Sequence, residues 1–370
     1  MLRTTLSHKI LIILCFLIFL AYQLIDKKVP NKSIGKSSNN ISILYWTKMF
    51  QTDDFNLGFG PHIFQKCEYS NCFTTNNRSL LNIDEFSAIV FHHADFKSND
   101  LPQVRSSKQY YIFFNLESPL NSFTKPRNDF YNWTMSYRSD SDIVHPYGYF
   151  TKRITTYQFP SIENLRKRKG KFIWMVSNCI TPSKREMLVE EINKHIKVDV
   201  IGKCAETLSI SCPKTDGKKC YNFIEKNYKF YLSFENSLCK DYVTEKLFNI
   251  LQKNVLPIVY GSADYSNIAP PNSYINVRNY RNISEFIEYI KQLDENPELY
   301  LRYLQWKKEN VIEIYPQKAL CDLCKKLNEV KVYKTYKDLM SWWFSDGMCE
   351  NNAKIGVNSS QGFQYHSEVI

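Results

Sequence analysis

Short apolar segments alternate with amphipathic stretches along most of the chain, and this alternation limits the fold more than any other feature. Strands that alternate with helices build parallel sheets with helices on both faces, so the sequence predicts an α/β fold. Candidate strands are Ile41–Trp46, Ser87–His93, Tyr110–Leu116, Phe172–Val176, Val198–Ile201, Phe230–Phe234, Leu256–Val259 and Tyr274–Val277. Candidate helices are Lys184–His195, Thr244–Gln252, Ser284–Leu293 and Pro297–Lys308.

The chain is long enough for more than one such unit. Its 370 residues allow about two domains at roughly 150 residues per domain. A polar and basic stretch between the patterned halves, Ser161–Lys171, predicts a solvated interdomain linker. We therefore expect two Rossmann-like, doubly wound domains that face a cleft. Residues 41–160 would form the first domain, residues 161–328 the second, and residues 329–370 a C-terminal extension.

One long apolar run, Ile10–Ile25, predicts a transmembrane segment near the N-terminus. A cleaved signal peptide usually ends in a small-x-small site, and none follows this run, so we expect an uncleaved signal anchor. In that interpretation residues 1–9 form a cytoplasmic tail and residues 29–40 a flexible stem. The rest of the chain would then be luminal.

The composition agrees with a globular luminal body. Eleven cysteines are too many for a typical cytosolic enzyme, and with Cys15 in the membrane segment an even number, ten, is left for pairing. The net charge of +11 can favour an anionic substrate by steering, but nucleic acid is not an expected partner of a luminal protein. Six Asn-x-Ser/Thr sequons are candidate N-glycosylation sites: Asn31, Asn40, Asn77, Asn132, Asn282 and Asn358.

Polar residues follow two of the predicted strands, where ligands bind in open α/β sheets. Glu117 follows the strand Tyr110–Leu116, and a carboxylate there suits a general base; the alternative is a surface or helix-capping glutamate. Ser177 and Asn178 follow the strand Phe172–Val176. Arg185 lies in the opening turn of the next helix, where the helix dipole disfavours a cation unless an anion is bound.

The stretch from Phe230 to Gly261 has the highest density of such residues. A strand ends before Asn236, and Glu245 and Lys246 open the helix that follows. An asparagine and a glutamate can hydrogen-bond sugar hydroxyls, and a lysine can neutralise a diphosphate leaving group. The alternative is a capping arrangement in which the charges are solvated.

This stretch, with its FENS and DYVTEK motifs, closely resembles the donor-binding motif of the α1,3/α1,4-fucosyltransferases. The resemblance extends along most of the body and keeps the family's order of motifs. The other matching motifs are FNLESP at Phe114–Pro119, NWTMSYRSDSDIVHPYGY at Asn132–Tyr149, VSN at Val176–Asn178 and CxxC at Cys321–Cys324.

The resemblance implies a fold, a compartment and a reaction. It implies two Rossmann-like domains in the glycosyltransferase-B arrangement, with the acceptor on the N-terminal domain and GDP-fucose on the C-terminal one. We expect a Golgi type II membrane enzyme that transfers L-fucose to a GlcNAc hydroxyl of glycoprotein or glycolipid glycans, forming an α1,3 linkage with inversion. One rival is a related transferase with another donor sugar. The other is a catalytically silent, lectin-like luminal protein that binds glycans.

The resemblance also assigns roles to individual residues. Glu117 matches the general base, and Arg185 and Lys246 match cations that stabilise the departing GDP. Asn236 and Glu245 match residues that hold fucose and position the donor. Other parts of the nucleotide pocket are matched by Ser177, Asn178 and Tyr242. No metal cofactor is required for such a reaction, although some relatives are stimulated by manganese.

On the acceptor side, His92 and His93 match a His-His pair of the family, followed by the residue that influences acceptor choice. That residue is Ala94, which matches neither the arginine nor the tryptophan of vertebrate members. Both α1,3 and α1,4 linkage, and both Lewis-type and N-glycan-core acceptors, therefore stay open. Finally, the resemblance suggests structural disulfides that join Cys67 and Cys72 to the pair Cys321 and Cys324.

Overall fold

The structure is a computed structural model that describes residues 40–122, 124–205, 217–329, 333–351 and 368–369. The predicted tail and membrane segment, nearly all of the stem, and the sequons at Asn31 and Asn358 lie outside these residues. Within the described ranges no helix is both long enough and apolar enough to cross a membrane. The signal anchor and the Golgi location therefore stay predictions.

The predicted strands and helices are present in the predicted order, among further strands and helices that the sequence pattern did not predict. The strands are β1 Ile41–Tyr45, β2 Cys72–Thr75, β3 Ala88–His92, β4 Tyr110–Asn115, β5 Trp133–Ser136, β6 Ile143–Val144, β7 Tyr149–Lys152, β8 Gly170–Met175, β9 Val198–Ile201, β10 Tyr228–Phe234, β11 Leu256–Tyr260, β12 Ile275–Asn276, β13 Asn310–Glu313, β14 Glu350–Asn351 and β15 Glu368–Val369. The helices are α1 Ile162–Arg166, α2 Arg185–Asn193, α3 Gly217–Asn227, α4 Glu245–Leu251, α5 Ile283–Glu295, α6 Pro297–Arg302 and α7 Gln317–Glu329.

Two parallel sheets carry the α/β fold. The first sheet has the order β2-β1-β3-β4-β5-β6, and the second has the order β12-β11-β10-β8-β9. All strand pairs within these two sheets are parallel. Strands β3, β4 and β10 are buried along their whole length, as expected for sheets that are covered on both faces. This burial explains why they appear in the sequence as nearly continuous apolar runs.

Helix α5 shows how local sequence sets an element and its packing. The Asn282 side chain accepts a hydrogen bond from the backbone N–H of Glu285 at 2.9 Å and so caps the first turn. The helix ends before Pro297, which opens α6. Apolar residues recur at helical spacing, and each buried one contributes roughly 1.5–3 kcal/mol. Those that pack into the core of the second sheet are Phe286, Ile287, Ile290 and Leu293.

The prediction of a solvated linker at Ser161–Lys171 is wrong. This stretch forms helix α1 and the first residues of β8. Arg168 is only 6% exposed and donates hydrogen bonds to the backbone carbonyls of Tyr228 and Asn254. A buried guanidinium that satisfies main-chain carbonyls looks the same in sequence as a solvated one, because its partners are about 60 and 86 residues away.

The predicted helix Pro297–Lys308 is also divided. Its first part is α6, and its last part, Gln305–Lys308, is a 3₁₀ helix. After this 3₁₀ helix comes β13, which pairs in antiparallel register with β7, with Glu313 opposite Tyr149. The chain thus leaves the first sheet through β7 and returns from the second sheet through β13.

Helix α7 packs on the first sheet, although the predicted division at residue 328 assigns it to the second domain. Its buried residues Ala319, Leu320 and Leu323 share a core with β1, β3 and β4. Two disulfides fix this position: Cys67–Cys321 and Cys72–Cys324, with sequence separations of 254 and 252 residues. These are the pairs that the resemblance suggests, and they tie the start of the body to its end.

Two buried histidines predict acid-sensitive stability. Burial lowers the pKa of His93 and of His145 to about 4, so both are neutral in the folded protein. An unfolded histidine titrates near 6.5, so the unfolded chain binds more protons between pH 6.5 and 4. Each neutral histidine makes its full contribution to the free energy of unfolding above pH 6.5. This contribution, about 3 kcal/mol per histidine, is lost as the pH falls from 6.5 to 4.

Urea unfolding at pH 7 and pH 4.5 measures this loss. We expect His145→Gln to flatten the dependence of unfolding free energy on pH. His62→Gln, at an exposed position, is the matched control and should leave it unchanged. Identical pH dependence in wild type and His145→Gln would contradict the assignment.

Candidate active site

A cavity of about 600 Å³ opens at the carboxyl ends of β8 and β10 in the second sheet. In the second sheet β9 lies on one side of β8, and β10 lies on the other side. The direction in which successive strands are added to the sheet therefore reverses at β8. Such a switch point is where open α/β sheets bind ligands. The cavity brings together the predicted base and all the predicted donor-binding residues: Glu117, Ser177, Asn178, Arg185, Asn236, Tyr242, Glu245 and Lys246.

Glu117 reaches this cavity from the first sheet. It lies in the turn after β4, where its backbone N–H donates to the Asn115 side chain at 3.1 Å. The Tyr242 hydroxyl donates to the Glu117 carboxylate at 3.4 Å. Burial raises the pKa of Glu117, and the positive charge of Lys246 opposes this rise only in part. A carboxylate with a raised pKa is a stronger proton acceptor than an ordinary surface glutamate.

Lys246 lies in the first turn of α4, between two carboxylates. Its ammonium group is 3.3 Å from the Glu235 carboxylate and 3.1 Å from that of Glu245, and it donates to the Thr244 hydroxyl at 2.8 Å. Burial alone would lower the pKa of Lys246, but Glu235 and Glu245 together raise it above its ordinary value. The lysine is therefore a permanent cation at the wall of the cavity.

The two glutamates beside Lys246 differ in burial. The Glu235 side chain is 1% exposed and accepts hydrogen bonds from both the backbone N–H and the hydroxyl of Thr244. The Glu245 side chain is 51% exposed. Glu235 thus stabilises the lysine from the protein side, while Glu245 contacts the lysine and also exposes half of its side chain to the cavity.

Arg185 is the first residue of α2 and is buried beneath the cavity. Its guanidinium donates to the carbonyl of Phe234 at 2.6 Å and to that of Asn178 at 3.1 Å, which joins the loops after β10 and β8. The helix begins one residue later than predicted, because Lys184 has a φ of 54° and cannot continue the helix.

Two buried polar atoms at this cavity have no hydrogen-bond partner among the described residues. They are Oδ1 of Asn236, an acceptor, and Nε of Arg185, a donor. Buried polar atoms are nearly always paired, so such atoms at a cavity indicate a polar ligand. A carboxylate base, two cations and these atoms suit a substrate that carries hydroxyls and phosphates.

Sequence reasoning missed several tyrosines of the cavity. Tyr147, Tyr221 and Tyr231 line it, and the Tyr147 hydroxyl donates to the carbonyl of Leu116, next to Glu117. Tyr231 lies in β10, where an aromatic residue looks like ordinary core. Tyr147 lies in a motif that carried the family resemblance, which was the only available signal.

The predicted acceptor-side residues are not among the described residues that line the cavity. His92 bonds Asp95 through Nδ1 at 2.7 Å, and His93 bonds the carbonyl of Thr124 through Nε2 at 2.7 Å. Ala94 lies between them and Asp95, in a partly exposed 3₁₀ turn. The described residues contain no group of three or more His, Cys, Asp or Glu side chains that could hold a metal ion, and nothing in them supports a manganese site.

The candidate sequons differ in access. Asn132 is fully buried, and its side chain bonds the backbone N–H of Tyr111, the side chain of Arg105 and the carbonyl of Lys334. A glycan there would prevent this packing, so the prediction of Asn132 as a glycosylation site is wrong. The described candidates that remain are exposed: Asn40, Asn77 and Asn282.

Further disulfides lie in the loops next to the cavity, and sequence spacing alone could not predict their pairing. Cys179, in the loop after β8, bonds Cys204, and Cys239, in the loop after β10, bonds Cys349. Cys220, which lines the cavity, is also disulfide-bonded. Both loops that carry predicted donor-binding residues are therefore covalently fixed.

Comparisons with known proteins find similar sequences along most of the body. Residues 38–148 match the family described as fucosyltransferase, N-terminal, and residues 165–342 match glycosyltransferase family 10 (fucosyltransferase), C-terminal. Alpha-(1,3)-fucosyltransferase C of Drosophila melanogaster is 34% identical over 348 residues, 85% of this chain and 80% of the relative. The human 4-galactosyl-N-acetylglucosaminide 3-alpha-L-fucosyltransferase 9 is 33% identical over 318 residues, 83% of each chain.

A crystal structure of an alpha1,3-fucosyltransferase with GDP-fucose has a similar fold. The TM-score is 0.54 at 18% sequence identity, and the match covers 80% of this chain and 91% of that chain. At this level of identity the similarity establishes the shared fold.

Proposed function

Because the chain belongs to glycosyltransferase family 10, the fucosyltransferases, we propose that it transfers L-fucose from GDP-fucose to a GlcNAc hydroxyl of a glycan, with inversion and an α1,3 linkage. The acceptors would be glycans of glycoproteins or glycolipids. The named relatives of Drosophila and human support the linkage, and the solved structure with GDP-fucose supports the donor.

The observation that carries this proposal is the meeting of the Glu117 carboxylate and two cations at a single cavity. Glu117 comes from the first sheet, and Arg185 and Lys246 come from the second. The hydrogen bond from Tyr242 to Glu117 joins the base to the loop that leads into Lys246. A transfer reaction needs a base on one side of the reacting carbon and charge stabilisation on the other, and this arrangement supplies both.

In the proposed reaction Glu117 accepts the proton of the acceptor hydroxyl. The acceptor oxygen then forms a bond to C1 of fucose, while the bond from C1 to the diphosphate oxygen breaks on the opposite face. The electron pair of the broken bond leaves with GDP, whose added negative charge is stabilised by Arg185 and Lys246. One displacement with one base gives inversion at C1.

The remaining residues would hold the donor. Glu245, half exposed, and the unpartnered Oδ1 of Asn236 can accept hydrogen bonds from fucose hydroxyls. Ser177 and Asn178 are exposed in the loop after β8, where they can contact the nucleotide. We propose the glycosyltransferase-B arrangement for the two sheets, with the acceptor on the first and GDP-fucose on the second, and a Golgi type II location.

The test compares two donors that share the same nucleotide. The full-length chain is incubated with N-acetyllactosamine and either GDP-fucose or GDP-mannose, and both GDP release and the mass of the product are measured. We expect transfer from GDP-fucose and none from GDP-mannose. Transfer from GDP-mannose would favour a different donor sugar. Binding of GDP-fucose and glycans without any transfer would favour the lectin-like protein.

A further inference from the structure

The loop between β10 and α4, residues 235–244, needs support from elsewhere in the molecule. It carries Asn236 and Tyr242 and leads directly into Glu245 and Lys246. Asp241 has a φ of 57°, a left-handed conformation that costs a non-glycine residue free energy. Such a conformation persists only where surrounding contacts impose it, so the contacts of this loop decide the shape of the donor site.

The C-terminal segment, residues 333–351, supplies three contacts within a few residues of each other. Cys239 and Cys349 form a buried disulfide. On one side of it the N–H of Lys240 donates to the carbonyl of Gly347 at 2.9 Å, and on the other the N–H of Glu350 donates to the carbonyl of Leu238 at 2.7 Å. The covalent bond is thus flanked by backbone hydrogen bonds that fix the direction of the loop.

The same segment is anchored beside the proposed base. Trp343 is fully buried, and its indole N–H donates to the hydroxyl of Ser122 at 3.2 Å. That hydroxyl also accepts from the Asn115 side-chain amide at 2.9 Å. The oxygen of the same amide accepts from the backbone N–H of Glu117. A continuous chain of contacts therefore runs from the C-terminal segment to the turn that holds Glu117.

A third anchor joins the segment to the second sheet. The Glu350 carboxylate lies 2.8 Å from the Arg278 guanidinium and also bonds the hydroxyl of Ser262. The segment consequently touches the Glu117 turn, the loop after β10 and the end of the second sheet at once.

We propose that Cys239 and Cys349 are positioning residues, whose disulfide locks the C-terminal segment onto the 235–244 loop and thereby sets the donor-binding residues relative to Glu117. The identity of the ligand rests on the proposed function. The disulfide attachment of the C-terminal segment to the 235–244 loop does not. Other contacts join this loop to the residues that follow β5. They are reversible hydrogen bonds and ion pairs, such as Ser139 to Asp241 and Lys240 to Asp140. The disulfide is the covalent tie described for this loop.

The chain offers a matched control in Cys67–Cys321. This disulfide joins segments that both pack at the first sheet, and neither cysteine is among the described residues at the cavity. Cys72–Cys324 joins the same two segments, so loss of Cys67–Cys321 opens only a short additional loop, whereas loss of Cys239–Cys349 opens one of 110 residues. The control should therefore lose less overall stability, and both variants are compared well below their melting temperatures. A change at the donor site in the Cys239 and Cys349 variant alone then reports on position.

The test compares Cys239→Ser/Cys349→Ser with Cys67→Ser/Cys321→Ser in the full-length chain. We expect the first variant to raise the Kd for GDP and the KM for GDP-fucose, and to lower kcat, each by roughly 10- to 100-fold. Amide hydrogen exchange of residues 235–246 in the ligand-free protein should become faster in this variant alone. The control variant should keep wild-type GDP affinity while its melting temperature falls.

Wild-type GDP affinity and wild-type exchange in Cys239→Ser/Cys349→Ser would overturn the proposal, because the disulfide would then only stabilise the fold. If that variant does not fold, Glu350→Ala keeps the disulfide and removes the side chain that anchors the segment to Arg278 and Ser262. It should weaken GDP binding in the same direction, and unchanged affinity would again overturn the proposal. Failure of the wild type to transfer fucose would instead contradict the proposed function and leave the exchange comparison intact.

Discussion

Glu117→Gln is expected to lower kcat by about 10²–10⁴-fold, the usual loss when a general base is removed. Glutamine keeps the size of the side chain and can still accept the hydrogen bond from Tyr242, but it cannot take a proton at neutral pH. Because the proposed reaction places Glu117 at the acceptor hydroxyl and not at the diphosphate, GDP affinity should stay unchanged. Steady-state kinetics and calorimetric titration with GDP separate the two effects.

The pH dependence of kcat in wild type and in Glu117→Gln is a second test of Glu117 as the base. The wild-type rate should fall at low pH as Glu117 becomes protonated, and burial raises the pKa of Glu117, so this fall should begin above the range of an ordinary glutamate. The acid limb should be absent in Glu117→Gln. Glu163→Gln, a carboxylate-to-amide change on exposed helix α1, is the control with wild-type rates. A near-normal kcat in Glu117→Gln would remove this residue from the role of base.

Lys246→Ala is expected to weaken donor binding and catalysis together. The ammonium group is a fixed positive charge in a partly enclosed site, and loss of one such group in other enzymes costs about 10²–10³-fold in rate. We expect a loss of this size in kcat/KM for GDP-fucose and a higher Kd for GDP. Lys246→Arg keeps the positive charge and should recover part of the lost kcat/KM and part of the lost affinity for GDP.

The same change should also destabilise the protein. Without Lys246 the buried carboxylate of Glu235 has lost its cation, and a buried charge without its partner costs about 3–5 kcal/mol. Binding must therefore be measured well below the melting temperature. Lys253→Ala, near the other end of α4, is the control, and its GDP affinity should be that of wild type. Unchanged GDP affinity in Lys246→Ala would contradict a role in donor binding.

Local patterns explain what could be predicted of this molecule. The strand and helix around Phe230–Gly261 follow from apolar runs and a capping threonine, and the polar residues at strand ends then fall at one edge of a parallel sheet. Glu117 joins them because β4 ends in the same way. The order of elements and the donor-side residues that share the cavity were thus within reach of the sequence.

Contacts between distant parts of the chain explain what could not be predicted. Arg168 looks solvated until its two carbonyl partners are known, and Asn132 looks like a glycosylation site until its buried hydrogen bonds are seen. Helix α7 returns to the first sheet from far along the chain. Cys239 and Cys349 are 110 residues apart, and no local pattern states that they meet.

Transfer of fucose to a GlcNAc hydroxyl is tested by determining the structure of the product. The body from Ile41 onward, which forms a compact unit, is incubated with GDP-fucose and an acceptor panel: N-acetyllactosamine, its type 1 isomer and a core-type N-glycan. NMR then gives the linkage and the anomeric configuration. We expect α-linked fucose on O3 of a GlcNAc residue, with inversion at C1. Fucose attached to another sugar, or retention at C1, would contradict this expectation.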